Sequence, residues 1–154
     1  MRPPPVRRRA WPLAAGAALV LAVSACGSTG VTAAPLQASI SRTFTNLYIL
    51  QQVEQGDPRP STRSLATHAA CQKGTPSDTQ SGAGNDWSCQ VTFLVAGPAT
   101  PVTALYTVSV QTDGCYAADG DGPLSVNGSR TITGPRAQTM TNPLWLVDGC
   151  FDVT

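Results

Sequence analysis

The sequence predicts an α+β domain: one N-terminal helix packed on a small antiparallel sheet and stapled by disulfides. Three observations predict it. Apolar residues recur at helical spacing between Pro35 and Gln55. Apolar and hydroxyl or amide residues alternate over residues 87–95 and again over 102–111. Four cysteines, Cys71, Cys89, Cys115 and Cys150, are spread through the part that alternates.

The helix is defined at both ends. Pro35 suits a first helical turn, where its missing N–H costs nothing. Leu36, Ile40, Phe44, Leu47 and Tyr48 form one stripe, which reads as contact with a sheet rather than as a ligand platform. Gly56 stands where a helix-ending glycine belongs, and Pro58 and Pro60 prevent continuation. Leu65–Cys71 suits either a short strand or a helical turn. Residues 74–86 (GTPSDTQSGAGND) are nearly devoid of apolar side chains and read as a long exposed loop.

Trp87, Cys89, Val91, Phe93 and Val95 give the clearest strand, and Val102, Ala104, Tyr106, Val108 and Val110 the second. Asp113-Gly114 signals a two-residue type I′ hairpin, which would pair Thr112 with Cys115 and Val110 with Ala117. A Val95–Val102 pairing across the preceding turn would put Cys89 on the core face. The type I′ register would put Cys115 there as well. Residues 124–133 are expected to form a further hairpin around Asn127-Gly128. Residues 142–153 (NPLWLVDGCFDV) are apolar enough to pack down, with Cys150 as their tether.

Four cysteines allow three pairings. The favoured set is Cys71–Cys89, closing the polar loop, and Cys115–Cys150, holding the C-terminal segment to the sheet. Metal or redox roles are disfavoured because no C-x-x-C spacing occurs.

The N-terminus is organised differently. Arg2, Arg7, Arg8 and Arg9 precede an uncharged run over residues 10–25 rich in Ala, Leu and Val. That run falls short of the ~20 residues a helix needs to span a bilayer. Basic region, apolar region and small residues follow one another in the order of a secretory signal. Val23-Ser24-Ala25-Cys26 resembles the lipobox of bacterial lipoproteins: an aliphatic residue, two small residues and an invariant cysteine, with Val in place of the more usual Leu. The resemblance implies cleavage before Cys26 and a diacylglycerol on its thiol. Two or more acyl chains hold stably where one holds only marginally. An ordinary secretory signal cut after Ala25 is the alternative, but it leaves Cys26 as an odd fifth cysteine. The organisation read from sequence is a lipoprotein signal peptide (1–25), a flexible tether (26–34) and a single domain (35–154). The helix-plus-sheet arrangement is also similar to small disulfide-bonded lipoprotein domains of unknown function from high-GC bacteria. That similarity implies a bridge between a cysteine before the sheet and one in its first strand, here Cys71 and Cys89.

The chain of 154 residues carries 10 basic and 9 acidic side chains. Removing four arginines with the signal makes the remainder net acidic, which argues against nucleic acid as a partner.

Few groups for catalysis are available. His68 is the sole histidine, so any Ser or Cys nucleophile would depend on it as base. Asp113, Asp119 and Asp121 lie among glycines and form a weak calcium candidate. The EF-hand spacing is missing, and turn chemistry accounts for Asp-Gly pairs. Trp87, Tyr106, Tyr116 and Phe151 read as core. Trp145 also reads as core and is at the same time the best aromatic candidate for a binding surface, because it follows the Asn142-Pro143 break. The expected protein is a non-catalytic binding or accessory module, lipid-anchored through Cys26 on the extracytoplasmic face of the cell membrane. It needs no cofactor and has a membrane-protein or envelope partner. The alternatives are a small hydrolase using His68 or the Asp113–Asp121 acids, and a purely structural envelope protein.

Overall fold

The computed structural model describes residues 30–95 and 100–154. The predicted signal peptide and the lipobox cysteine, Cys26, lie outside the described residues. The elements run α1 (Ala33–Gln55), α2 (Thr62–Leu65), β1 (His68–Lys73), β2 (Gly84–Leu94), β3 (Pro101–Val110), β4 (Cys115–Gly122), β5 (Thr131–Thr133), β6 (Thr139–Thr141) and β7 (Leu146–Cys150). Five strands form an antiparallel sheet in the order β1-β2-β3-β4-β7, and β5-β6 is a separate hairpin. The class is the α+β fold that the sequence predicts, with both disulfides in place.

Helix α1 lies across one face of the sheet. Leu36, Ile40, Phe44 and Tyr48 are buried, each four residues from the next. Phe44 and Tyr48 meet Phe93 with ring centroids 4.9 and 4.7 Å apart. The sheet contributes Trp87, Val91, Phe93, Tyr106, Val108 and Val147 to the same core. Each fully buried aliphatic or aromatic side chain of this set stabilises the fold by ~1.5–3 kcal/mol. Gly56 closes the helix at φ 84°. Its N–H reaches Val53 O at 3.1 Å and the Asp57 N–H reaches Gln52 O at 2.8 Å, the paired bonds of a Schellman motif.

Several local expectations change. The domain begins before Pro35, because the helix starts at Ala33 and Val31 is already buried. Thr32 bridges Ser81, and the Gly82 N–H donates to Val31 O at 2.8 Å. The last residues assigned to the tether are therefore docked onto the 74–83 loop. Leu65–Cys71 holds both alternatives, ending α2 and then entering β1. Strand β2 starts at Gly84, three residues earlier than expected, and a bulge follows before Trp87.

The hairpin at Asp113-Gly114 is not type I′. Gln111 N–H donates to Cys115 O and Gly114 N–H to Gln111 O, with Gly114 at φ 84°. This is a three-residue loop with glycine in the left-handed position. Val110 therefore pairs with Tyr116, not Ala117. The one-residue slip turns Cys115 away from the core, because side chains alternate faces along a strand. The β2–β3 pairing also differs, Phe93 rather than Val95 facing Val102, but by two residues. Parity survives, and Cys89 is buried on the core face as expected.

Asn127-Gly128 is not a hairpin tip. Pro123 O accepts from the N–H groups of Val126, Asn127 and Gly128, a compact turn. The real hairpin, β5–β6, follows it. Asn142 holds the region together. Its side-chain amide donates to Val126 O and Ser129 O at 2.8 Å each, and its Oδ1 accepts from Gln51 Nε2 at 2.8 Å and Leu144 N at 3.0 Å.

Candidate functional site: the open face of the sheet

With α1 on one face, the other face of the sheet has no layer over it among the described residues. Its outward positions include Ser88, Gln90 and Thr92 on β2, and Thr103, Leu105, Thr107 and Ser109 on β3. All but Thr92, which is half-buried, are exposed. Thr92 and Thr103 share a hydrogen bond across the strands at 3.2 Å. Hydroxyls and amides of this kind both donate and accept.

The acidic side chains collect at one end of this face. Asp119 points outward from β4. Asp121 is the extra residue of a bulge against β3, and its Oδ2 accepts from Thr107 Oγ1 at 2.7 Å. Asp148 points outward from β7, where its neighbours Val147 and Gly149 are buried and half-buried. Strands β3, β4 and β7 contain no basic residue. The Cys115–Cys150 bridge lies on the same face, at the edge of a shallow depression of about 540 Å³ lined also by Asn85, Gln111 and Asp148.

The predicted calcium set does not converge. Asp113 sits in the hairpin loop, where its Oδ1 accepts from the Cys115 N–H at 3.0 Å. Asp119 stands six residues further along the chain, roughly 20 Å at ~3.3 Å per strand residue. Among the described residues no three His, Cys, Asp or Glu side chains group together. His68 is exposed on β1, three strand spacings from β4, so at least ~14 Å from Asp119 and Asp121 across the sheet at ~4.8 Å per spacing. The fold does not assemble these groups into one site.

Trp145 is half-buried. The Arg130 guanidinium lies 5.7 Å from its ring centroid, a cation–π contact that covers one side of the indole. Trp87 is fully buried and donates through Nε1 to Gly82 O at 3.1 Å. Tyr106 is buried and donates to Leu144 O at 3.1 Å, and burial pushes its hydroxyl pKa up. Tyr116 is buried as well, while Phe151 is only partly so. Sequence reasoning did not single out Asp148 or Leu146. The alternation in Leu146-Val147-Asp148 was its only signal, too short to fix which residues point outward.

Comparison with protein families, with curated proteins and with solved structures finds no match.

Proposed function

We propose that this chain is a lipid-anchored, extracytoplasmic binding or accessory module of the cell envelope, without catalytic function. The observation that carries the reading is the run Val23-Ser24-Ala25-Cys26 behind an apolar, Arg-led segment. A diacylated Cys26 would hold the folded domain beside the outer surface of the membrane. Two further observations support it. Both disulfides suit the oxidising side of a membrane. The open sheet face offers hydroxyl, amide and carboxylate groups on a rigid support, a chemistry suited to holding a partner.

The experiment is a pull-down of the tagged native protein from detergent-solubilised membranes, with crosslinking before extraction. A stable envelope protein recovered with wild type, and lost when residues of the open face are changed, supports the reading. Absence of any stable partner contradicts it.

A further inference from the structure

The two edges of the sheet are treated differently. At β1, side chains occupy most of the free main-chain groups. The Ala69 N–H donates to Ser41 Oγ at 2.8 Å, and Gln37 Nε2 donates to Cys71 O at 3.3 Å. Gln80 takes both groups of Lys73, its Oε1 accepting from the N–H at 2.8 Å and its Nε2 donating to the carbonyl at 3.0 Å. An edge satisfied in this way cannot accept another strand.

Among the described residues, edge β7 lacks that cover. The Phe151 N–H bonds Gly114 O at 3.1 Å, and the Gly120 N–H bonds Trp145 O at 2.9 Å. Alternation in an antiparallel ladder then assigns Gly149 and Val147 to the bonded pairs with β4. Leu146, Asp148 and Cys150 therefore aim their main-chain groups away from the sheet. Among the described residues only Cys150 O has a partner, accepting from Ser39 Oγ at 3.3 Å. The side chains of the same three residues are exposed, Leu146 by 52%.

We propose that the free edge of β7 accepts one more strand, an extended peptide segment carrying basic side chains. The proposal rests on the binding-module reading and names the chemistry of the partner. Main-chain groups of Leu146 and Asp148, together with the Cys150 N–H, would supply the hydrogen bonds of strand addition. The choice of a basic segment follows from charge. Asp119, Asp121 and Asp148 make this end of the outward face acidic, and β3, β4 and β7 bring no cation to offset them. A second copy of the chain is the wrong occupant. Pairing β7 with its own copy would set two such acidic faces side by side, and in the register centred on Asp148 the two carboxylates would stand directly opposite, a destabilising arrangement.

The test uses the native processed protein in detergent micelles and a fluorescein-labelled peptide of alternating Lys and Val, seven residues long. Controls are the same peptide with Glu for Lys, and one N-methylated at alternate residues. Fluorescence anisotropy should show saturable binding of the Lys peptide that weakens with added salt, no binding of the Glu peptide, and loss of binding on N-methylation. Asp148→Lys should weaken the Lys peptide by about tenfold, as reversal of an interfacial charge does. Asp148→Pro, which removes an outward N–H and leaves the β4 ladder intact, should abolish it. Hydrogen exchange should slow at the Leu146, Asp148 and Cys150 amides when the peptide binds. Failure of the Lys peptide to bind overturns the proposal. So does equal binding of the N-methylated or Glu peptide, or a concentration-dependent dimer that protects the same amides. A partner captured from membranes while the peptide fails would sink the edge proposal alone and leave the binding-module reading standing.

Discussion

Cys115 and Cys150 stand directly opposite one another on β4 and β7, with Cα atoms 3.9 Å apart and both side chains turned away from the core. Cys71 and Cys89 make the same kind of opposed pair on β1 and β2, Cα atoms 4.1 Å apart, but on the buried face. Each outermost strand is thus riveted to its neighbour. Solvent reaches one rivet far more than the other. A dilute dithiol reductant should therefore open Cys115–Cys150 well before Cys71–Cys89, because exchange needs access to the sulfur. Timed alkylation followed by peptide mass spectrometry reads the order.

Removing the accessible bridge should still cost stability. Cys115 and Cys150 are 35 residues apart in sequence, and closing a loop of that order stabilises a fold by ~2–4 kcal/mol. The double variant Cys115→Ser/Cys150→Ser should unfold at lower urea with α1 and the β1–β4 sheet still formed. Circular dichroism and urea titration check both statements.

Gly114 is the residue the hairpin cannot replace. It sits at φ 84°, and a Cβ there would run into the carbonyl oxygen of Phe151. Gly114→Ala should destabilise the domain by about 2 kcal/mol or more, combining left-handed backbone cost with the clash. Chemical denaturation should show a lower midpoint at unchanged slope.

Asn142 carries four hydrogen bonds that join α1, the 123–129 turn and the approach to β7. Asn142→Leu should cost ~2–4 kcal/mol by leaving several buried groups unpaired. Asn46→Ala, on the exposed side of α1, should change stability by no more than about 0.5 kcal/mol. Thermal unfolding of the two variants side by side makes the comparison.

Asp78 links the 74–83 loop to acid. Its Oδ2 accepts from the Thr75 N–H at 2.6 Å and from Thr75 Oγ1 at 2.8 Å. The backbone bond first, and the hydroxyl after it, hold the carboxyl below its usual 3.8. A depressed carboxyl stabilises the folded loop above the unfolded value, and that stabilisation is lost as pH falls through the lower folded value. An NMR titration should place the Asp78 midpoint below 3.8, and Asp78→Asn should remove this part of the acid dependence.

The parts of the fold legible from sequence were those with long, strongly periodic signals. The stripe Leu36–Ile40–Phe44–Tyr48 and the alternation from Trp87 through Phe93 each constrain several positions at once. The favoured disulfide set also follows from which segments needed pinning. Two of the misreadings are matters of turn chemistry. Asp113-Gly114 suits a two-residue or a three-residue loop, and in the longer one Gly114 O accepts from the Phe151 N–H at 3.1 Å. That choice moved Cys115 to the other face. Asn127-Gly128 has the composition of a hairpin tip, but packing of the 123–128 turn against Gly120 redirected it. The open site was less legible still. Its chemistry lies in main-chain groups left vacant on β7 and in acids brought together from β4 and β7, neither of which has a local sequence signature.

The anchor on Cys26 is tested most directly by the intact mass of the protein extracted with mild detergent from its native membranes. The account predicts a chain beginning at Cys26 with a diacylglycerol thioether on that residue and four other cysteines oxidised. A chain that retains residues 1–25, or one that begins at Cys26 with a free thiol, would contradict it.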